Sequence, residues 1–289
     1  MLILWLMRRL RSRHATPMDT PDDLARGRST AAGLVLHQFR YDLRGFFRDK
    51  QARFTTLALP AVLLVAFVSI GGGNKTVVQD GHTIKTAAFY VPGLIALGVV
   101  SASFANLVVD LIALREGGVL KRRRATPVPA WALIGGRAVT AVVISLVTAL
   151  LLLFVGAEVY DIQIPTHALP GVAFTVILGA VAFACFAYAI APTIRSSGAI
   201  QPIIQLILFP LYAMSGVFLP DSKNPLWLRH VASVLPLEHI AHGLHHAFDP
   251  QGGLGMSAVD VLVVTAWAVA ALAIAVRRFS WLPLKATSA

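Results

Sequence analysis

A chain of 289 residues with 56% hydrophobic and 13% charged residues lies far from the soluble norm of roughly 45–50% apolar and about 25% charged. That composition excludes a water-soluble globular enzyme and points to an integral membrane protein with one membrane domain, because no polar block is long enough to fold as a second one. The net charge of +11 does not call for nucleic acid: all but four of the 25 Lys and Arg (Lys75, Lys85, Lys223 and Arg229) fall on one side of the expected spans, the asymmetry that membrane topology alone requires.

The first residues, MLILWLMRRLRSRHATPMDTPDD, put a short apolar run ahead of the arginines, the reverse of a secretory signal. Residues 1–33 are expected to be a flexible cytoplasmic tail, within which Met18 offers a second start. Residues 34–53 read as an amphipathic helix. At about 100° per residue Leu36, Phe39, Leu43, Phe46 and Phe47 share one arc, and Arg40, Arg44 and Arg48 line the next at i, i+4, i+8. The pattern predicts a helix in the headgroup layer, with Phe46 and Phe47 dipping into lipid and the arginines facing phosphate.

Residues 54–289 form the membrane domain. A crossing needs about 20 apolar residues. Runs of that kind predict six transmembrane helices, at Phe54–Ile70, Tyr90–Leu114, Ala130–Val155, Leu169–Ile190, Ala199–Leu219 and Met256–Val276. They lack the two-residue alternation of a membrane barrel, so the fold class is all-α. The basic residues place both termini and residues 115–137 in the cytoplasm. Between the first two spans, GGGNKT (Gly71–Thr76) lacks the G-x-x-x-x-G-K-[ST] spacing of a phosphate loop and reads as a turn, so no cofactor or nucleotide site is expected in this chain. Pro60, Pro92, Pro192, Pro202 and Pro210 predict kinks whose freed carbonyls neighbouring helices must satisfy. Asn106 and Asp110, four apart on the second span, form a polar seam, or in the case of Asp110 a contact with cytoplasmic headgroups. The single cysteine, Cys185, is a packing residue.

Two stretches between the spans stand apart. The first is REGGVLKRRRATPVPAWALIGGR, residues 115 to 137, with six basic residues. Thr126 can cap and Pro127 can open the third span, which leaves Arg115–Arg124 as a short surface element. Topological anchoring accounts for its arginines but not for Glu116 or the Gly-Gly. The second runs from Ser215 to Gly255. Leu226, Trp227, Leu228, Val231, Val234 and Leu235 make it too apolar for a solvated loop, while Asp221, Lys223, Arg229 and Pro236 interrupt it too often for a span. Short re-entrant helices on the outer side fit it best. There His239, His242 and His246 share a helix face without the H-E-x-x-H zincin pattern, so a polar interfacial face is expected and no metal.

Taken together, the basic amphipathic helix, the 115–137 stretch, and SGVFLP followed by LRHVASVLPLEHIAHGL resemble the permease subunits of type-2 ATP-binding-cassette exporters, drug and lipid exporters in particular, over roughly Leu34 to Val276. The likeness is carried by Arg115, Glu116, Gly118, Leu120, Lys121, Arg122, Thr126, Pro127 and Arg137, and on the outer side by Ser215, Gly216, Pro220, Leu235 and Pro236; His245 and His246 stand where the family often has an arginine. The resemblance implies that the inner stretch docks as a coupling helix on a cytoplasmic ATPase subunit, present in two copies and binding ATP and Mg. It also implies a second permease copy or sibling, contact with membrane lipids but not nucleic acid, no catalysis by this chain, and a place in a bacterial plasma membrane. The implied cargo is an amphipathic drug or lipid-like molecule; export of a polysaccharide or glycolipid, or an integral membrane enzyme using the outer histidines, are the alternatives.

Overall fold

The computed structural model describes residues 31–70, 76–79, 82–117, 130–162, 164–166, 168–194, 196–215, 225–248 and 255–278. Helix α1, Ala31–Arg48, ends at Asp49, whose extended backbone (φ −79°, ψ 109°) breaks the helix. The Asp49 carboxylate accepts the N–H groups of Gln51 at 2.8 Å and Ala52 at 3.0 Å, satisfying two otherwise orphaned donors of the next helix, α2, Lys50–Ile70. An antiparallel hairpin follows, β1 Thr76–Gln79 and β2 His82–Lys85, with Val77 opposite Ile84. Thr76, taken above as the end of a turn, therefore begins a strand; Gly71–Lys75 lie outside the described residues. The remaining elements are α3 Thr86–Glu116, α4 Ala130–Tyr160, α5 Ala168–Ile190, α6 Ile200–Met214, α7 Leu226–Ala232, α8 Pro236–Ala247 and α9 Ala258–Arg278. Among the described residues the hairpin is the one departure from an all-helical fold.

Among the described residues five helices, α2, α3, α4, α5 and α9, are long and apolar enough to cross a membrane. The crossing expected at Ala199–Leu219 is not among them. At a rise of 1.5 Å per residue α6 is about 22 Å long, against a hydrocarbon core of about 30 Å. A 3₁₀ turn at Ser197–Ala199 precedes it, and at Ser215 the backbone leaves helical geometry (φ −89°, ψ 14°), so among the described residues the α-helical part of the expected Ala199–Leu219 is Ile200–Met214; residues 216–219 lie outside the described ones.

The core centres on α3, where every residue from Val91 to Val100 is buried, and α5 packs along α9, α4 and α3. Its contact face is rich in small side chains, among them Gly179, Ala180, Ala184 and Ala187, which let helix axes approach where no hydrophobic force drives them together. The prolines sit where their missing N–H is tolerable. Pro60 follows a π-helical turn, Phe54–Ala58, and the Thr56 carbonyl it leaves free faces the Thr148 hydroxyl of α4 at 3.5 Å. Pro202 lies in the first turn of α6, and Pro192 lies in the 3₁₀ turn Ala191–Thr193 that closes α5. Pro92 and Pro210 remain inside helices. Because α2 runs from α1 to the hairpin and α3 returns, the bundle has an α1 end and a hairpin end.

Candidate functional site

At the α1 end, α1 lies against α4 through a gap in the side chains of α4. A Cβ on Gly136 would stand 2.6 Å from Gln38 Cγ, so glycine is what lets the helices touch. Into this contact the chain places a charge cluster. Gln38 Nε2 donates to Asp42 Oδ1 at 2.7 Å, Arg137 Nη2 lies 3.5 Å from the same oxygen, and Arg137 Nη1 lies 3.7 Å from Asp110 Oδ2. Arg137 is 8% exposed. Burial at that depth demands a counter-charge, which two carboxylates supply from α1 and α3. The two members of the expected seam thus face different helices: Asp110 reaches α4, and Asn106 donates to Thr56 Oγ1 of α2 at 2.5 Å.

A second buried arginine closes α3. Arg115, 7% exposed, turns inward and donates from Nη2 to the Ile194 carbonyl at 2.5 Å and from Nη1 to the Ala191 carbonyl at 3.3 Å. Its neighbour Glu116 is exposed. Gly118, Leu120, Lys121, Arg122, Thr126 and Pro127 lie outside the described residues. On α1, Arg40, Arg44 and Arg48 are exposed, as are Leu36 and Tyr41, while Phe46 and Phe47 are half-buried and meet edge to face at 5.6 Å.

Nearly all of these groups fall within one matched region: the sequence profile of the ABC-2 type transporters matches residues 35–248. The chain belongs to the ABC-2 type transporter family. Inner membrane transport permease YadH of Escherichia coli K12 is 25% identical over 248 residues, 81% of this chain and 91% of YadH. The Shigella flexneri protein of the same name matches equally, and "Probable multidrug ABC transporter permease YbhR" of E. coli K12 is 23% identical over 151 residues, 52% of this chain and 41% of that protein. The chain is accordingly the permease subunit of an ABC-2 type transporter, an integral membrane protein and a transport subunit.

Towards the hairpin end of the ABC-2 permease, α8 is fastened to the start of α9. His239 Nδ1 lies 2.6 Å from Asp260 Oδ1, and its Nε2 lies 2.9 Å from the Ser233 carbonyl. Carboxylate and carbonyl oxygens only accept, so the two contacts are satisfied together only when both ring nitrogens donate, as they do in the imidazolium. His242 Nδ1 donates to Asp260 Oδ2 at 3.1 Å, which also accepts the Ser257 N–H at 2.8 Å, while the Asp260 N–H donates to Ser257 Oγ at 3.2 Å. That reciprocal pair is a capping box opening α9. Burial works against charge on His239, but the Asp260 carboxylate, the Ser233 carbonyl and Glu238 outweigh it and raise its pKa above the ordinary value. His245 faces the other way, stacked on Phe89 at 5.2 Å; burial, then the nearby His242 and His246, lower its pKa to about 4. Among the described residues no three His, Cys, Asp or Glu side chains converge as a metal would need.

Of the three histidines expected on one face, His239 and His242 join on Asp260, and His246 stands ring to ring with His242 at 4.3 Å. Sequence reading missed Asp260, although Ser257-x-x-Asp260 before an apolar run is a capping-box pattern. It also missed the Asp42–Arg137 pair, whose signal is faint: one acid four residues after Gln38 in an arginine-rich helix. Nothing in the sequence pairs Arg115 with carbonyls 76 and 79 residues away.

Proposed function

We propose that this permease works as one of two copies on two cytoplasmic ATP-binding-cassette subunits, which supply ATP and Mg, and that it moves an amphipathic drug or lipid-like molecule out of the cytoplasm across a bacterial inner membrane. The observation that carries the reading is Glu116, exposed where α3 leaves the bundle for residues 118–129, within a chain of the ABC-2 family. A carboxylate there suits basic or amide donors on the ATPase, and Gly118, Leu120, Lys121, Arg122, Thr126 and Pro127 complete the coupling segment. The cargo class is supported by lipid-facing surfaces that offer little to a hydrophilic molecule and by the multidrug transport in YbhR's name.

One surface feature supports the assembly. Gln201 and Gln205 are exposed on α6 beside Leu206 and Phe209. Lipid would leave both amides unsatisfied, so the second permease copy covers this face. In this reading α6 makes the fifth of six crossings together with the residues on either side of it, both termini are cytoplasmic, α7 and α8 re-enter from outside, and α1 lies at the interface with Arg40, Arg44 and Arg48 on lipid phosphates.

The test is Glu116→Arg, which leaves the apolar helices and the sign of the basic asymmetry unchanged. Losing one partner of a desolvated charge pair costs about 2–5 kcal/mol. Normal membrane levels are expected, with little ATPase co-purifying and ethidium efflux lost from cells lacking other exporters. Parent-like efflux at equal levels would reduce residues 115–127 to a topological anchor.

A further inference from the structure

Arg115 belongs by position to the coupling segment, yet its guanidinium does not point towards a partner. It is buried, and it bridges the carbonyl of Ala191, the first residue of the 3₁₀ turn that closes α5, and that of Ile194, which follows the turn. The last carbonyls of a helix have no intrahelical donor and carry the negative end of its dipole, so a cation with a planar fork of donors is the side chain that suits them best. Proline at position 192 supplies no N–H of its own to this turn. One guanidinium therefore sets the distance between the exit of α3 and the end of α5.

The other contacts of α5 give that tie a consequence. Midway along, Gly179 is so close to α8 that an added Cβ would stand 2.9 Å from Ile240 Cδ1. Along its length α5 packs on α9, whose Asp260 holds His239 and His242 of α8. A single helix thus touches the exit of the coupling segment at one end and α8 further along. We propose that Arg115 is a positioning residue for transport: it binds the end of α5 rather than the ATPase, so that movement of the coupling segment is carried by α5 to α8. This rests on the coupling role proposed for residues 115–127.

The experiment uses the permease with its ATPase subunits in lipid nanodiscs, with Cys185→Ser to remove the single native cysteine. Spin labels go on two pairs of exposed positions: Ala113 with Thr193 to report the tie, and Leu150 with Phe174 to report movement of α5 against α4. In the parent the first pair gives a narrow distance distribution that ATP leaves unchanged, while ATP shifts the second. In Arg115→Met the first distribution broadens and the ATP-dependent shift of the second is lost, with the ATPase still bound and still hydrolysing ATP. That uncoupling is a readout a merely structural staple would not produce. Arg115→Lys keeps the charge but cannot hold both carbonyls, and it is expected to broaden the first pair and diminish the shift; it carries the test if the methionine variant does not fold. Parent-like behaviour of either folded variant, or a parent without the shift in the second pair, overturns the inference. Failure of the coupling reading itself is distinguishable: Glu116→Arg would then keep its ATPase and its ATP-dependent shift.

Discussion

Asp42 and Arg137 meet where neither would tolerate isolation, with side chains 10% and 9% exposed. Removing one partner of such a pair strands the other charge, and the lower end of the usual range, about 3 kcal/mol, applies because contacts of 3.5 and 3.7 Å are ionic and not hydrogen-bonded. Asp42→Asn should lower the thermal stability of the purified protein, and reversing both residues should recover part of the loss; a melting curve equal to the parent's would show the pair to be idle. Histidines set a pH window at the other end of the bundle. His239 has a raised folded-state pKa, so its contribution is complete below the ordinary value of about 6.5 and is lost as pH rises through the folded one. His245 is depressed to about 4, so stability is lost as pH falls from about 6.5 towards that value. The packing of α8, on α9 through His239 and on α3 through His245, should be tightest between these limits. Hydrogen exchange of residues 236–247 should lose its alkaline limb in His239→Gln and its acid limb in His245→Phe; unchanged limbs would refute the assignment.

On the scale of elements, α1 is held to α4 by fit as well as charge. Gly136→Val would drive its side chain into Gln38 and the Val35 carbonyl, and overpacking of this kind costs about 1–3 kcal/mol. Amide exchange over residues 31–48 should rise in that variant while the exchange of α9 stays as in the parent. The long helices were legible from apolar length alone: Leu169–Ile190 became Ala168–Ile190 and Met256–Val276 became Ala258–Arg278. Periodicity foresaw a helix over residues 34–53 with its arginines exposed at i, i+4 and i+8, but the backbone breaks at Asp49 and Lys50–Arg53 belong to α2. The short length of α6 was not legible, because hydropathy does not register that Ser215 leaves helical geometry while apolar residues continue beyond it. The hairpin was missed because its strands are only four residues each and lack clear alternation, while the glycine-rich stretch before them reads as a turn; β-branched Val77 and Val78 pair with Ile84 and Thr83.

For the whole molecule, two expectations concern sidedness and copy number. Asp161, with its side chain fully exposed and φ of 50°, sits beside Lys85 at the hairpin end, and Glu116 is exposed at the α1 end. Cysteines at 161 and 116 should be labelled by an impermeant maleimide from opposite sides of the membrane; labelling of both from outside would sink the topology. If a second copy covers α6, Gln205→Cys in the Cys185→Ser background should form a disulfide-linked dimer on mild oxidation. Monomer alone at parent-like expression would place that face in lipid.

What the sequence by itself determined is whatever depends on neighbours along the chain: that the protein lives in a membrane, where most of its long helices run, and, through residues 115–137, the transporter family it resembles. Bilayer thickness and the cost of an unsatisfied backbone act on each segment separately, so composition is enough for these. Only the tertiary structure decided which charges meet. Arg115 closes the end of α5, Arg137 joins α1 to α3 through Asp42 and Asp110, and Asp260 gathers two histidines from α8. Each contact spans at least 18 residues and exists because a buried charge must find whatever partner the packed helices bring within reach, which no local pattern specifies.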